Sequence, residues 1–143
     1  MKYLKTGDNF YKKIRYIRLI FSENGGNYYG QKLRIGIIGC GGIANGKHMP
    51  NHAKLDDKLE LVAFCDIVLE RAEKAAKKFG TEDAKVYEDY KELLKDETID
   101  VVHVCTPNRS HSFITIDALE AGKHVMCEKP MAKTYAEIRG CNI

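Results

Sequence analysis

The sequence predicts an α/β fold in which a parallel β-sheet is covered by helices on both faces. Five short apolar runs alternate with segments of helical character along residues 33–143, and their connections are too short for anything but right-handed crossovers. Glycine-rich or polar segments follow the ends of four of these runs. In a doubly wound sheet such ends meet at one edge, where ligands bind, so we expect a binding site there.

The length and charge of the chain limit the classes of function that fit. Its 143 residues suffice for one domain with a hydrophobic core, and no apolar run approaches the ~20 residues of a membrane span. Residues 1–32 carry a net charge of +5, whereas residues 33–143 carry −2. The predicted domain is therefore mildly acidic, which argues against nucleic-acid binding.

The first apolar run, Ile35–Ile38, suits a buried strand and leads into a glycine-rich turn. A helix is predicted to follow over Ile43–Lys54. The strand, turn and helix form the dinucleotide fingerprint, in which the first glycine permits the turn and the second admits a pyrophosphate. The third position must be small for close helix–strand packing. The candidate cofactor-binding residues of this segment are Gly39, Cys40, Gly41, Gly42, Ile43 and Ala44.

A glycine-rich turn after any buried strand is the plain alternative, so the decision depends on the rest of the chain. The second predicted strand, Leu59–Cys65, ends at Asp66, 27 residues after Gly39. A carboxylate there can accept hydrogen bonds from ribose hydroxyls and would repel a 2′-phosphate, which favours NAD over NADP. A helix N-cap is the alternative role for Asp66, and the two roles can coexist.

The next predicted helix, Val68–Phe79, carries Arg71 one turn from its start. A guanidinium there could reach an adenine or a 2′-phosphate, and a solvated surface arginine is an equal alternative. Further strands are predicted at Lys85–Tyr87, Ile99–Cys105 and His124–Cys127, and further helices at Asp89–Lys95, Ser110–Ala121 and from Thr134 onward. His103 lies within an apolar run, so we interpret it as a packed core histidine. With these elements the sequence predicts a Rossmann-type sheet.

The five cysteines favour reduced thiols in a cytoplasmic protein, because their number is odd and no signal peptide precedes them. No Cys-x-x-Cys pair occurs, and no histidine lies at zinc-finger spacing from a cysteine pair. Cys65, Cys105 and Cys127 each end an apolar run and could lie near one another. We interpret them as small buried hydrophobic residues, and no metal site is predicted.

Several of these segments together resemble a known family. The glycine segment, Asp66 with Arg71, the run Thr106-Pro107-Asn108 followed by His111, and Glu128-Lys129-Pro130 are similar to the N-terminal domain of the Gfo/Idh/MocA oxidoreductases. The similarity extends from about Leu33 to Arg139. It implies an NAD(P)-binding domain of enzymes that oxidise hydroxyl groups of sugars or polyols by hydride transfer.

The resemblance also implies roles for individual residues. The glycine segment would hold the pyrophosphate and Asp66 the adenosine ribose. A second set would line the cleft near the nicotinamide and its ribose; its members are Thr106, Pro107, Asn108, His111, Glu128 and Lys129. Lys129 would also be catalytic, because an ammonium can stabilise a developing alkoxide or assist proton transfer. An ordinary surface lysine is the alternative.

The sequence also departs from the family pattern. Family members continue into an α/β substrate domain, whereas here little follows the helix that starts at Thr134. We therefore expect a truncated domain over residues 33–143 that is inactive alone. A non-catalytic nucleotide-binding module or an unstable gene remnant are the alternatives, and a homo-oligomer stays open. Residues 1–32 are expected to be a poorly ordered basic extension and linker, or else an amphipathic helix for an anionic surface.

Overall fold

The computed structural model of the chain describes residues 32–140, so the predicted extension lies outside the described residues except for Lys32. The strands are β1 Leu33–Ile38, β2 Leu59–Cys65, β3 Lys85–Tyr87, β4 Val101–Val104 and β5 His124–Cys127. The helix after β1, called α1, consists of three successive helical turns, Ala44–His48, Met49–His52 and Ala53–Leu55. The other helices are α2 Leu69–Phe79, α3 Tyr90–Leu94, α4 His111–Glu120 and α5 Tyr135–Gly140.

The five strands form one parallel sheet with the order β3-β2-β1-β4-β5. The chain moves outward from β1 to β3 and then crosses back, so that β4 lies beside β1. The point between β1 and β4 is therefore the topological switch point, where the connections leave in opposite directions and open a crevice. The predicted α/β class and the parallel, Rossmann-type sheet are confirmed.

The sheet separates two hydrophobic cores, because successive side chains of a strand point to opposite faces. One core contains Ile35, Ile37 and Phe64 with residues from α1 and α2, and the other contains Ile38 and Leu93 with residues from α3 and α4. Both faces of the sheet are thus covered, as the nearly continuous apolar character of the strands predicts.

The helix after the glycines is less regular than the predicted Ile43–Lys54. Its first turn, Ala44–His48, is a π-helix, closed by a hydrogen bond from the Met49 N–H to the Ala44 carbonyl. Pro50 is the second residue of the next turn, Met49–His52, and has no N–H to donate to the carbonyl four residues earlier. A wider turn before the proline relieves this loss, so α1 continues in another helical form.

The other predicted boundaries, including those of β4, are confirmed within two residues, although β4 is shorter than predicted at both ends. β3 and β5 match their predicted bounds, whereas β4 spans Val101–Val104 instead of Ile99–Cys105. The Asp100 and Cys105 N–H groups, which flank β4, still donate to the Arg34 and Ile38 carbonyls of β1. No helix among residues 32–140 has the length and apolar character needed to cross a bilayer.

The Asp96 carboxylate connects the edge strand β3 to the turn before β4 through hydrogen bonds. Its carboxylate accepts hydrogen bonds from Lys85 Nζ at 2.7 Å, from Tyr87 Oη at 3.2 Å, and from the Thr98 hydroxyl and N–H at 2.7 and 2.9 Å. Burial alone would raise the pKa of Asp96, but the hydrogen bonds from Lys85 and Thr98 outweigh it and hold the pKa well below its usual range.

The acid stability of the domain is expected to depend on Asp96. A carboxyl whose pKa is lowered by folding stabilises the protein above its unfolded pKa of about 3.9, and this contribution disappears as the pH falls toward the folded pKa. Asp96→Asn should lower the free energy of unfolding by about 1 kcal/mol at pH 7 and flatten its decline below pH 4. Urea denaturation at several pH values measures both, and an unchanged acid slope would contradict this role.

Candidate cofactor-binding site

The candidate site lies at the carboxyl edge of the sheet, where the segments after β1 and β4 approach each other. The Gly39 N–H donates to the Cys65 carbonyl, and the Cys105 N–H donates to the Ile38 carbonyl, both at 2.8 Å. These bonds continue the sheet past the ends of the strands. The glycine segment is therefore held between the ends of β2 and β4.

Gly39 has a backbone conformation and surroundings that only glycine tolerates. Its φ angle is +93°, in the region that residues with a Cβ rarely adopt. A Cβ built on Gly39 would lie 2.8 Å from the carbonyl carbon of Cys105 and from the nitrogen of Thr106. The first glycine of the fingerprint thus permits both the turn and the close approach of the chain after β4.

Gly41 and Gly42 face open space. No protein atom lies within 4 Å of a Cβ built at either position. The Asn45 amide donates to the Cys40 carbonyl at 2.6 Å and to the Gly41 carbonyl at 3.1 Å, which fixes the loop. A pyrophosphate fits this arrangement, because the glycines leave room and the first N–H groups of a helix have no acceptor within it.

The other residues of the glycine segment differ in their exposure. They are Cys40, Ile43 and Ala44. Ala44 and Cys40 are buried against the sheet, which confirms that the third position of the fingerprint packs closely. Cys40 therefore faces the site with its backbone, whereas its thiol lies in the core. Ile43 is exposed at the edge of the loop.

Asp66 connects the end of β2 to the glycine segment. One carboxylate oxygen accepts the Cys40 N–H and the other accepts the Val68 N–H, both at 2.9 Å. The second bond joins Asp66 to Val68, which is the N-cap residue of α2, so Asp66 precedes the helix and is not its N-cap. Each carboxylate oxygen can accept a further hydrogen bond, which leaves capacity for ribose hydroxyls.

Arg71 lies close to Asp66 without forming a tight pair. Its guanidinium is 4.0 Å from the Asp66 carboxylate, and its side chain is 59% exposed. An ion pair with this exposure contributes little stability. The guanidinium is therefore free to turn toward a ligand beside Asp66.

The segment after β4 contributes Thr106, Pro107 and Asn108. The Ser110 hydroxyl donates to Thr106 Oγ1 at 2.8 Å and orders this turn, while Pro107 and Asn108 are exposed at the edge. All three lie beyond Gly39 across the crevice between β1 and β4. The structure thus brings together the glycine segment and the Thr-Pro-Asn segment, which lie about sixty residues apart in the sequence.

His111 lies beneath this edge and is almost fully buried. Its Nε2 is 2.6 Å from the Thr106 carbonyl oxygen and its Nδ1 is 2.7 Å from the Pro130 carbonyl oxygen. Both ring nitrogens are therefore directed at backbone carbonyls. The imidazole therefore connects the segment after β4 to the segment after β5 and holds both at the carboxyl edge of the sheet.

Removing the His111 nitrogens should loosen both segments. We expect His111→Phe, which keeps a ring of similar shape, to lower the free energy of unfolding by about 1–2 kcal/mol, because a buried carbonyl loses its donor. Urea denaturation measures this loss of stability, and Ser110→Ala is the control variant. Ser110 is half-buried, and its hydroxyl bonds to Thr106 and Pro107 within its own turn. Equal stability of the two variants would contradict the connecting role.

Glu128 and Lys129 follow β5 at the same edge. The His48 Nε2–H donates to the Glu128 carboxylate at 2.6 Å, and this bond lowers the pKa of Glu128. The other carboxylate oxygen accepts the Lys129 N–H at 3.2 Å. The Lys129 side chain is exposed, so its ammonium is available to a bound molecule.

Sequence reasoning did not identify the histidines of α1. His48 contacts Glu128, and His52 Nε2 lies 3.0 Å from Nδ1 of His103. Their spacing of four residues places both on one helix face, and that spacing was the available signal. His103 is buried as predicted, and burial together with His48 and His52 lowers its pKa to about 4, so its imidazole is neutral.

Comparison with known proteins gives consistent matches for the described domain. The model of the Gfo/Idh/MocA family, described as an oxidoreductase family with an NAD-binding Rossmann fold, matches residues 33–141. Over 107 residues the chain is 47% identical to the D-glucoside 3-dehydrogenase of Escherichia coli, covering 75% of this chain and 30% of that protein. It is 41% identical over 105 residues to an inositol 2-dehydrogenase of Salmonella typhimurium, covering 73% and 31%.

Solved structures give the same result. An oxidoreductase of Thermotoga maritima matches with a TM-score of 0.71 and 32% identity, over 77% of this chain and 33% of that one. A 3-ketoreductase of Actinomadura kijaniata, solved with NADP, matches with a TM-score of 0.69 and 30% identity, over 78% and 34%. The chain thus spans about a third of the length of these relatives.

Proposed function

Because the chain belongs to the oxidoreductase family with the NAD-binding Rossmann fold, we propose that it binds NAD(H) at the edge between β1 and β4. The observation that carries this proposal is the link between Asp66 and the glycine segment. The Asp66 carboxylate accepts the Cys40 N–H, so a ribose acceptor and a phosphate-sized opening lie on one continuous surface. That combination matches adenosine ribose followed by pyrophosphate.

The proposal favours NAD over NADP because of charge. A buried carboxylate at the ribose position repels a 2′-phosphate, and its oxygens accept the 2′- and 3′-hydroxyls of NAD instead. Arg71 provides a positive charge 4.0 Å from the same carboxylate, which would reduce the repulsion. Because Asp66 is buried and Arg71 is largely exposed to water, the carboxylate should dominate.

The remaining candidate residues would serve the nicotinamide half. The cleft near the nicotinamide ribose would be lined by Thr106, Pro107 and Asn108. The nicotinamide ring would be flanked by Glu128 and Lys129. When bound, the nicotinamide accepts or returns the hydride. The exposed Lys129 ammonium would stabilise negative charge on the oxygen of the carbon that loses hydride, which makes it the catalytic candidate of this chain.

We infer that the substrates are hydroxyl groups of sugars or polyols. The relatives named as D-glucoside and inositol dehydrogenases support this class. We expect this chain alone to bind the dinucleotide without oxidising a polyol, because its candidate residues would contact the cofactor and only Lys129 among them would reach the substrate. We propose a cytoplasmic, reducing location, since Cys40, Cys65 and Cys105 are buried thiols that form no disulfide.

The proposal is tested by titrating the purified chain with NADH and with NADPH while following nicotinamide fluorescence. We expect saturable binding of NADH, and binding of NADPH weaker by about tenfold or more, equivalent to about 1.4 kcal/mol. Equal or tighter binding of NADPH would overturn the NAD assignment. Absence of binding by a chain shown to be folded would overturn the cofactor proposal itself.

A second measurement distinguishes an enzyme domain from a nucleotide-binding module without catalysis. Inositol and methyl glucoside are incubated with the chain and NAD⁺, and NADH formation is followed by absorbance. We expect no turnover by this chain alone. Measurable turnover that Lys129→Met abolishes would contradict the expected inactivity and would support the catalytic assignment of Lys129.

A further inference from the structure

A cluster of metal-ligating side chains lies next to the candidate cofactor site and has no role in the proposed function. Its members are His48 on α1, His103 on β4 and Cys105 directly after β4. One donor atom from each residue lies within 4.8 Å of the other two. The cluster combines two imidazoles and a thiol, which is the ligand set that Zn²⁺ prefers.

We propose that His48, His103 and Cys105 form a binding site for a soft divalent cation of the Zn²⁺ class, with the fourth position left to a water molecule. Glu128 Oε1 is 2.6 Å from His48 Nε2. The Glu128 N–H donates to the Val104 carbonyl, so Glu128 lies beside the cluster as an outer partner of His48. Two nitrogens, a sulfur and a water oxygen make the tetrahedral set of an open zinc site.

Neighbouring groups prepare both histidines to act as ligands. His52 Nε2 lies 3.0 Å from His103 Nδ1, so Nε2 of His103 remains for a metal. A hydrogen bond on one ring nitrogen fixes the tautomer and orientation of the other, as outer partners of metal-bound histidines do. The Glu128 carboxylate orients His48 in the same way, because it accepts a hydrogen bond from His48 Nε2.

Metal binding requires the ligand atoms to move closer together, and the cluster is accessible to an ion from solvent. Tetrahedral Zn²⁺, with bonds of about 2.0–2.3 Å, holds its ligand atoms roughly 3.3–3.8 Å apart, so the longest separation must shorten by about 1 Å. His48 and Glu128 have side chains 25% and 20% exposed, whereas His103 and Cys105 are buried. The partly exposed side chains of His48 and Glu128 can therefore move and admit the ion.

Coordination by Cys105 exchanges one bond for another. Burial and the charge of Glu128 raise the pKa of the Cys105 thiol to about 12, so the sulfur carries its proton when no metal is bound. Binding forms a metal–sulfur bond, breaks the S–H bond and releases the proton to solvent.

The sequence analysis considered a metal site made of Cys65, Cys105 and Cys127 and did not predict one. In the sheet, β1 lies between β2, which ends at Cys65, and β4, which precedes Cys105.

Co²⁺ is the probe that tests the proposal, because tetrahedral Co²⁺ absorbs strongly in the visible and Co²⁺–thiolate bonds absorb in the near ultraviolet. The full chain, without nucleotide, is titrated with Co²⁺, and Zn²⁺ is then added. We expect both absorptions to appear at one Co²⁺ per chain and to disappear when Zn²⁺ displaces the ion. Absence of either absorption in the folded chain would overturn the proposal.

Variants assign the ligands. Cys105→Ser should abolish the near-ultraviolet absorption, and His48→Gln should weaken Co²⁺ binding by about 100-fold. Cys127→Ser removes a thiol from the end of the neighbouring strand β5 and should bind Co²⁺ as the unchanged chain does. Loss of the absorption in Cys127→Ser, or its persistence in His48→Gln, would overturn the assignment even if Cys105→Ser does not fold. These readouts are independent of dinucleotide binding, so either proposal can fail alone.

Discussion

Gly39→Ala is expected to destabilise the domain by about 4 kcal/mol. The alanine Cβ would meet the backbone of Cys105 and Thr106 at 2.8 Å, and backbone atoms in the sheet edge cannot move aside as a flexible side chain can. Steric overlap in a packed interior costs about 1–3 kcal/mol, and an unfavourable φ of +93° adds about 1–3 kcal/mol. Urea denaturation followed by circular dichroism measures the loss.

Gly41→Ala is the matched control for Gly39→Ala. A Cβ at Gly41 meets no protein atom within 4 Å, so the free energy of unfolding should change by less than about 1 kcal/mol. The same Cβ would occupy the space assigned to the pyrophosphate, so NADH affinity should fall at least tenfold. A Gly39→Ala variant as stable as Gly41→Ala would contradict the role of the contact between the β1 and β4 ends.

Asp66→Asn is expected to weaken NADH binding by about 10- to 100-fold. Asp66 accepts the N–H groups of Cys40 and Val68 through its two oxygens, whereas asparagine has a single acceptor oxygen. One of the two N–H groups therefore loses its partner, and the ribose hydroxyls lose a charged acceptor worth about 1.5–3 kcal/mol. Fluorescence titration with NADH measures the change in affinity.

The preference between the two dinucleotides should shift in the same Asp66→Asn variant. Without the carboxylate charge, the 2′-phosphate of NADPH is no longer repelled, so the ratio of NADPH to NADH affinity should rise. Asp56→Asn is the control, because the exposed Asp56 lies in the turn before β2, at the opposite edge of the sheet. An affinity ratio that stays constant in Asp66→Asn would show that this carboxylate does not select the cofactor.

Local sequence signals predicted the architecture well, because each strand is a short apolar run bounded by glycine or polar residues. The parallel order follows from the alternation of strands and helices, and Gly39, Ala44 and His103 lie where their residue types require. The irregular first turn of α1 was not predicted; it precedes Pro50, which has no N–H to donate within a regular α-helix.

The contacts that arrange the site were less predictable because they join segments distant in the sequence. The fingerprint predicted a tight turn at Gly39, but not that the backbone of Cys105 lies against it. The resemblance placed His111 near the cofactor, whereas both of its nitrogens face the carbonyls of Thr106 and Pro130. The pairing of His48 with Glu128 spans eighty residues and has no local signal.

The most direct test of the central claim is a nuclear magnetic resonance titration of the ¹⁵N-labelled chain with NADH. If the dinucleotide binds where the carboxyl ends of β1, β2 and β4 meet, the largest amide shifts should occur at Gly41, Gly42 and Ile43, with further shifts beside Asp66 and at Asn108. The opposite edge, around Lys58 and Lys123, should change little. Shifts confined to that opposite edge, or none at saturating NADH, would contradict the account.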